Sequence, residues 1–145
     1  MKRFRLVCLW CVSLWVMLSP TRLPAQVFPS NDGEQLKYTA SIEMQRAYLS
    51  GICVLQHDGN EIKGSLFNEF GITALDFTYD LQKEKIRLHS LISMMDKWYI
   101  RKTLRKDLRL LMRNMQNGLT EYTNQRRHIK YQLTPLKDEQ HETTE

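Results

Sequence analysis

The apolar residues of this chain change their repeat once, at Ser93, and that change bounds the fold more tightly than the composition does. From Tyr38 to Ile92 they recur at every second residue in short runs, the period of strands. From Ile100 to Met115 they recur at every third or fourth, the period of a helix. Tyr38, Ala40, Ile42 and Met44 alternate with Lys37, Thr39, Ser41 and Glu43, as a half-buried strand would. Residues 47–55 are apolar on both faces, with Tyr48, Ile52 and Val54 on one and Leu49, Cys53 and Leu55 on the other. That pattern predicts a central strand covered on both sides. His57-Asp58-Gly59-Asn60 is a hairpin turn, because Asp-Gly tolerates the positive φ of tight turns. Residues 61–68, 72–79 and 85–92 extend the meander, with breaks at Gly71 and around 80–84. Gly51, Gly64 and Ala74 fall inside strands, where missing side chains permit sharp bending, so the antiparallel sheet should be strongly curved.

After the change of period, Ile100, Leu104, Leu108, Leu111 and Met115 form one helical stripe, joined by Met94 and Met112. Ser93 with Asp96 three residues on resembles a capping box, and Gly118 is a C′ stop. A helix over 94–116 would run about 34 Å, enough to cover strands of seven to nine residues. A last strand is expected over 128–133, where Ile129, Tyr131 and Leu133 alternate with polar partners before Thr134-Pro135. The chain is therefore expected to be α+β, with about six strands and one long amphipathic helix in a domain spanning 37–134.

The two ends carry different messages. Lys2, Arg3 and Arg5 precede an apolar run from Leu6 to Leu18, broken only by Ser13, then Leu23-Pro24-Ala25 offers a small-residue cleavage site. That order is a secretory signal peptide over 1–25, and its apolar run is too short to span a bilayer, which takes about 20 residues. Residues 26–36, with Pro29, Ser30, Asn31, Asp32 and Gly33, read as a flexible lead-in, and 135–145 as a disordered acidic tail. Cleavage changes the charge argument. The chain holds 21 Lys+Arg and 16 Asp+Glu, but four of the bases (Lys2, Arg3, Arg5, Arg22) lie before Gln26, leaving 17 against 16, or +1. A nucleic-acid partner loses its electrostatic basis with them. Cys8 and Cys11 also leave, so Cys53 has no partner for a disulfide and too few companions for a cysteine zinc site. Neither lost cysteine follows a small-residue site, so no lipoprotein anchor is expected. The expected compartment is the periplasm of a Gram-negative cell.

Within the helix, Arg101, Lys102, Arg105, Lys106, Arg109 and Arg113 crowd the face opposite the apolar stripe. Like charges four residues apart cost a few tenths of a kcal/mol each in an isolated helix. Two things could relieve them. The acids of the sheet (Glu43, Glu61, Glu69, Asp76, Asp80) are one, and phosphate-bearing headgroups at an anionic membrane surface are the other. Catalytic signatures are absent from the sequence. The four histidines have no metal-ligand spacing, no Gly-x-Ser-x-Gly elbow or phosphate loop occurs, and Cys53 sits in an apolar run. Glu69, Asp76 and Asp80 offer carboxylates, yet Asp76 alternates with Leu75 and Phe77 as an outward residue does. No enzyme, metal or cofactor is expected.

The run Asn68-Glu69-Phe70-Gly71-Ile72-Thr73-Ala74-Leu75-Asp76-Phe77, with Lys97-Trp98 and Leu104-Arg105-Lys106-Asp107-Leu108, resembles short exported proteins of the lipoprotein-carrier (Lol-type) superfamily. The resemblance covers residues 38–112. It implies an incomplete barrel whose concave face holds acyl chains beneath a helical lid. On that reading Ile100, Leu104, Leu108, Leu111, Phe67 and Phe77 line an apolar pocket, the helical bases meet an anionic headgroup or a partner, and the ligand is a lipid or a lipidated protein in envelope biogenesis. Hiding a fourteen-carbon chain is worth on the order of 11 kcal/mol, at about 0.8 kcal/mol per CH₂. The alternative is a periplasmic interaction module with a filled core, and an open void beneath 94–116 separates the two.

Overall fold

Three successive hairpins of the sheet close where the sequence supplies turn chemistry. The computed structural model describes residues 26–136, so the expected leader and all but the first two residues of the expected tail lie outside the described residues. β1 (Gln35–Met44) pairs with β2 (Ala47–Asp58), which turns through Gly59-Asn60 into β3 (Glu61–Asn68). Gly59 alone of those two loop residues has positive φ, at 60°, the requirement of a type II′ turn. Between β3 and β4 (Thr73–Asp80), the Asn68 carboxamide oxygen accepts hydrogen bonds from the backbone N–H groups of Phe70 and Ile72, and Gly71 takes φ 74°. Before β5 (Lys85–Leu91), the Asp80 carboxylate caps the N–H groups of Gln82 and Lys83 in the same manner.

A single 3₁₀ turn, Ser93–Met95, then leads to helix α1 (Trp98–Gln116). β6 (Glu121–Asn124) and β7 (Ile129–Pro135) follow, and β7 returns to pair with β1. The result is one antiparallel sheet of seven strands in the order β5-β4-β3-β2-β1-β7-β6, curled into a half-barrel. The helix closes the gap, touching both edge strands, β5 and β6. Its 19 residues span ~28 Å at about 1.5 Å per residue.

The core lies wholly inside this shell. Tyr38, Ala40 and Ile42 of β1, Cys53 and Leu55 of β2, Ile62 and Leu66 of β3, and Tyr131 and Leu133 of β7 face Leu104, Leu108, Leu111, Met112 and Met115 of the helix. Val27, Phe28 and Leu36 pack against it from the lead-in. Curling comes from two β-bulges, at Leu66/Phe67 and Asp76/Phe77, and from two glycines. A Cβ on Gly64 would lie 2.3 Å from the Phe77 ring, and one on Gly51 would lie 1.8 Å from the Phe67 carbonyl oxygen. Each glycine is therefore a place where something else occupies the space of a side chain.

Four expectations need correction. β2 is covered on one face only: Ile52 is 48 % and Tyr48 64 % exposed, because the helix lies on the concave side and, among the described residues, no second layer covers the convex side. The sheet has seven strands, since the short, polar β6 carries too little alternation to be recognised. The helix starts at Trp98, and Ser93 makes no capping bond, because Asp96 turns to the Arg101 guanidinium instead of closing a box. Residues 26–36, expected as a flexible lead-in, are tied to the sheet, and Gln35 and Leu36 already belong to β1. The Glu34 carboxylate accepts from the N–H groups of Ser30 and Asn31, Tyr38 Oη donates to the Val27 carbonyl at 2.8 Å, and Asp32 accepts from the Gly59 N–H.

Candidate functional site

Helix α1 sits over the half-barrel unevenly, and the candidate site follows from that. Asp107, fully buried on the helix flank, accepts hydrogen bonds from Tyr131 Oη at 2.8 Å and from Asn124 Nδ2 at 2.9 and 3.0 Å. This pins the β6–β7 hairpin to the middle of the helix. The cluster raises the pKa of Tyr131 above its ordinary value, chiefly through burial and then through the adjacent Asp107. Beneath the helix middle, Leu108, Leu111 and Met112 fill the bowl against Cys53, Leu66, Leu75 and Phe77, leaving a void of about 20 Å³. That is room for about one water.

Toward its N-terminus the helix parts from the sheet. There Tyr99, Ile100, Thr103 and Leu104 face the β1–β2 turn and the start of β7, enclosing an open pocket of about 310 Å³. Met44, Ala47, Ile129 and Tyr131 supply most of the remaining wall, which is largely apolar, while Arg46 and Arg127 stand at the lining's polar margin. The volume lies at the lower end of small-molecule sites, roughly 300–1,000 Å³.

Of the residues singled out from sequence, Ile100 and Leu104 line this pocket, and Leu108, Leu111 and Phe77 are packed in the core. Phe67 is misplaced by the expectation. It falls opposite Ile52 on the convex face, one residue out of phase with the inward-facing Leu66. Met44, Gln45, Arg46, Ala47, Thr103, Arg127, Ile129 and Tyr131 also line the pocket without having been identified from the sequence as pocket residues, whereas Tyr99, an aromatic residue near the helix start, is legible there as a conceivable lining residue beside its expected core role. Met44 and Ala47 left a trace as apolar residues flanking a two-residue turn; Arg46 and Arg127 left none.

The basic face is real and only partly neutralised. Arg101 pairs with Asp96 and Arg113 lies 3.7 Å from Glu84. Among the described residues, none of the five sheet acids expected to cover the stripe pairs with it. Glu61 is taken by Arg87, Asp76 accepts from Ser90 Oγ, and Asp80 caps backbone. Lys102, Arg105, Lys106 and Arg109 instead face Lys85 and Ile86 of β5 across a shallow groove.

Among the described residues, two polar features come nearest to catalytic chemistry. Thr78 Oγ1 lies 2.7 Å from His89 Nε2, but among the described residues no third side chain holds the other ring nitrogen, as an activated nucleophile needs. Burial pushes the Cys53 thiol up to about 12, which keeps it protonated and inert. Among the described residues no three His, Cys, Asp or Glu side chains approach as metal ligands would. No helix among them is long and apolar enough to cross a membrane. No protein-family model, curated protein or solved structure matches this chain.

Proposed function

We propose that this chain is an exported, non-enzymatic binding module that takes the apolar end of an anionic amphiphile, a lipid or a lipid-modified partner. The site is the open end between the β1–β2 turn and the first turns of α1. One observation carries the reading: the interior is filled beneath the helix middle, with about 20 Å³ free, yet stands open by about 310 Å³ at one end. Interiors pack densely, so an apolar opening of this size beside a filled core is a candidate ligand site. Its chemistry suits a chain carrying a negative head. The walls are hydrocarbon, and the guanidinium groups of Arg46 and Arg127 are near enough to the opening to meet an anion. Eight methylenes withdrawn from water would contribute on the order of 6 kcal/mol. The filled middle limits the ligand to a short apolar segment, so the reading departs from storage of whole acyl chains beneath the helix.

The same filled middle favours a second reading, an assembly module that holds no ligand. A fluorescent fatty acid separates the two. Saturable binding that Ala47→Phe weakens at least roughly tenfold, with the urea midpoint unchanged, supports the amphiphile reading. Ile52→Ser, on the convex face, should leave binding as it is. No saturable binding, or binding indifferent to Ala47→Phe, would favour the assembly module.

A further inference from the structure

The sheet register places one set of connections at the same end of the half-barrel as the pocket mouth. The β1–β2 turn closes at Met44↔Ala47, the β3–β4 turn follows Phe67↔Thr73, and the 3₁₀ turn and the start of α1 follow Leu75↔Leu91. The β6–β7 turn lies beside the β1–β2 turn, because Lys130 pairs with Glu43. This rim carries most of the large apolar side chains that the described residues expose. Phe70 is 78 %, Trp98 77 % and Met94 72 % exposed, and Tyr48, Ile72 and Tyr99 are also open to solvent. Single exposed apolar residues are ordinary, whereas a concentration at one end marks a contact surface. Arg46, Lys97, Arg126 and Arg127 stand among them on the same turns, all exposed and, among the described residues, without an acidic partner; the acids on these turns are Glu69 and Asp96, of which Asp96 is held by Arg101. The opposite end is more mixed: its turns hold Asp58, Asp80 and Glu84 beside the exposed bases Lys83 and Lys85, and its Lys63 and Arg87 are paired with acids.

We infer that this rim docks on an anionic bilayer surface, with Trp98, Phe70, Met94 and Ile72 entering the headgroup layer while the four bases meet lipid phosphates. Tryptophan and tyrosine favour that layer because one part of the ring is apolar and another can hydrogen-bond. Basic side chains beside them add attraction that falls with salt. A protein partner would explain the apolar tips, but the unpaired bases favour a surface of dispersed negative charge. The inference rests on the proposed function for its purpose, since it turns the pocket mouth toward the membrane from which an amphiphile would come.

Trp98 is the single tryptophan after residue 25, which makes its fluorescence a local reporter. The protein begun at Gln26 would be mixed at low salt with phosphatidylcholine vesicles containing about a third phosphatidylglycerol. The expected result is a blue shift of Trp98 emission, co-sedimentation, and release at high salt, with little effect from vesicles of phosphatidylcholine alone. Arg126→Glu with Arg127→Glu should weaken binding by roughly twentyfold or more, and Phe70→Ser with Met94→Ser by roughly tenfold. Arg105→Glu with Arg109→Glu, on the helix away from the rim, should act far less. No blue shift at low salt, equal loss from the helical pair, or a shift that appears with protein concentration in the absence of vesicles would overturn the inference. Vesicle binding is read separately from fatty-acid binding. If Ala47→Phe leaves fatty-acid affinity unchanged while the rim variants abolish sedimentation, the pocket assignment falls and the docking surface stands.

Discussion

At the scale of single residues, the two interior glycines make contrasting predictions. Gly64 yields its space to the Phe77 ring, a side chain with some freedom, whereas Gly51 faces the Phe67 carbonyl, which the β2–β3 ladder holds in place. Gly64→Ala should therefore destabilise by about 1–3 kcal/mol, and Phe77→Leu should recover part of that loss when combined with it. Gly51→Ala should be worse, and no side-chain change should rescue it; urea unfolding midpoints check both. Asp107 belongs to the same scale. Replacing it by Ala strands Tyr131 Oη in the interior and takes the acceptor from the half-buried Asn124 amide, and should cost about 3 kcal/mol by the same measurement. The sequence marked Gly51 and Gly64 as points of bending, which holds. It gave no sign of what fills their space, because cross-strand partners depend on register. Nor did it flag Asp107, which reads as one more charge on a charged helix until its flank is seen against β6 and β7.

At the scale of elements, helix α1 has one well-made end and one poor end. At the C-terminus Gly118 takes φ 85°, its N–H donates to the Met115 carbonyl, and the Leu119 N–H donates to that of Asn114, a Schellman closure. At the N-terminus the capping position is Lys97, whose side chain makes no capping bond and whose charge opposes the helix dipole. Lys97→Asp should raise stability by about 1 kcal/mol in thermal unfolding, and the same change should weaken vesicle binding by removing a rim base. Opposite signs in the two measurements would show stability given up for contact. The Gly118 stop was legible because a glycine after an apolar stripe has a local meaning. The start was misread because Ser93 and Asp96 have the right spacing for a box, and only the nearby Arg101 decides where the Asp96 carboxylate goes.

For the whole molecule, the buried tyrosines set the alkaline limit. Burial raises Tyr38 and Tyr131 above their ordinary value, so both hold their protons more tightly folded than unfolded. Their contribution is intact below about pH 10, where unfolded tyrosine begins to ionise, and is lost as the pH rises beyond it. Tyr38→Phe should flatten the fall of the urea midpoint between neutral pH and about pH 11. Cys53, pushed up to about 12 by the same burial, should react with a thiol reagent at mildly alkaline pH only as fast as the domain opens.

What the sequence determined by itself was the class of fold. A repeat of two followed by a repeat of three to four leaves few arrangements other than a sheet with one helix laid on it, and the side-chain period is a property of each segment alone. The tertiary structure decided everything that depends on distance between segments. Whether the second face of β2 is covered, how far the helix seals the half-barrel, and which turns crowd around the opening follow from curvature and register. Those emerge only when the strands pair and the helix spans their edges, because a void or an exposed rim is a relation among elements that no local pattern encodes.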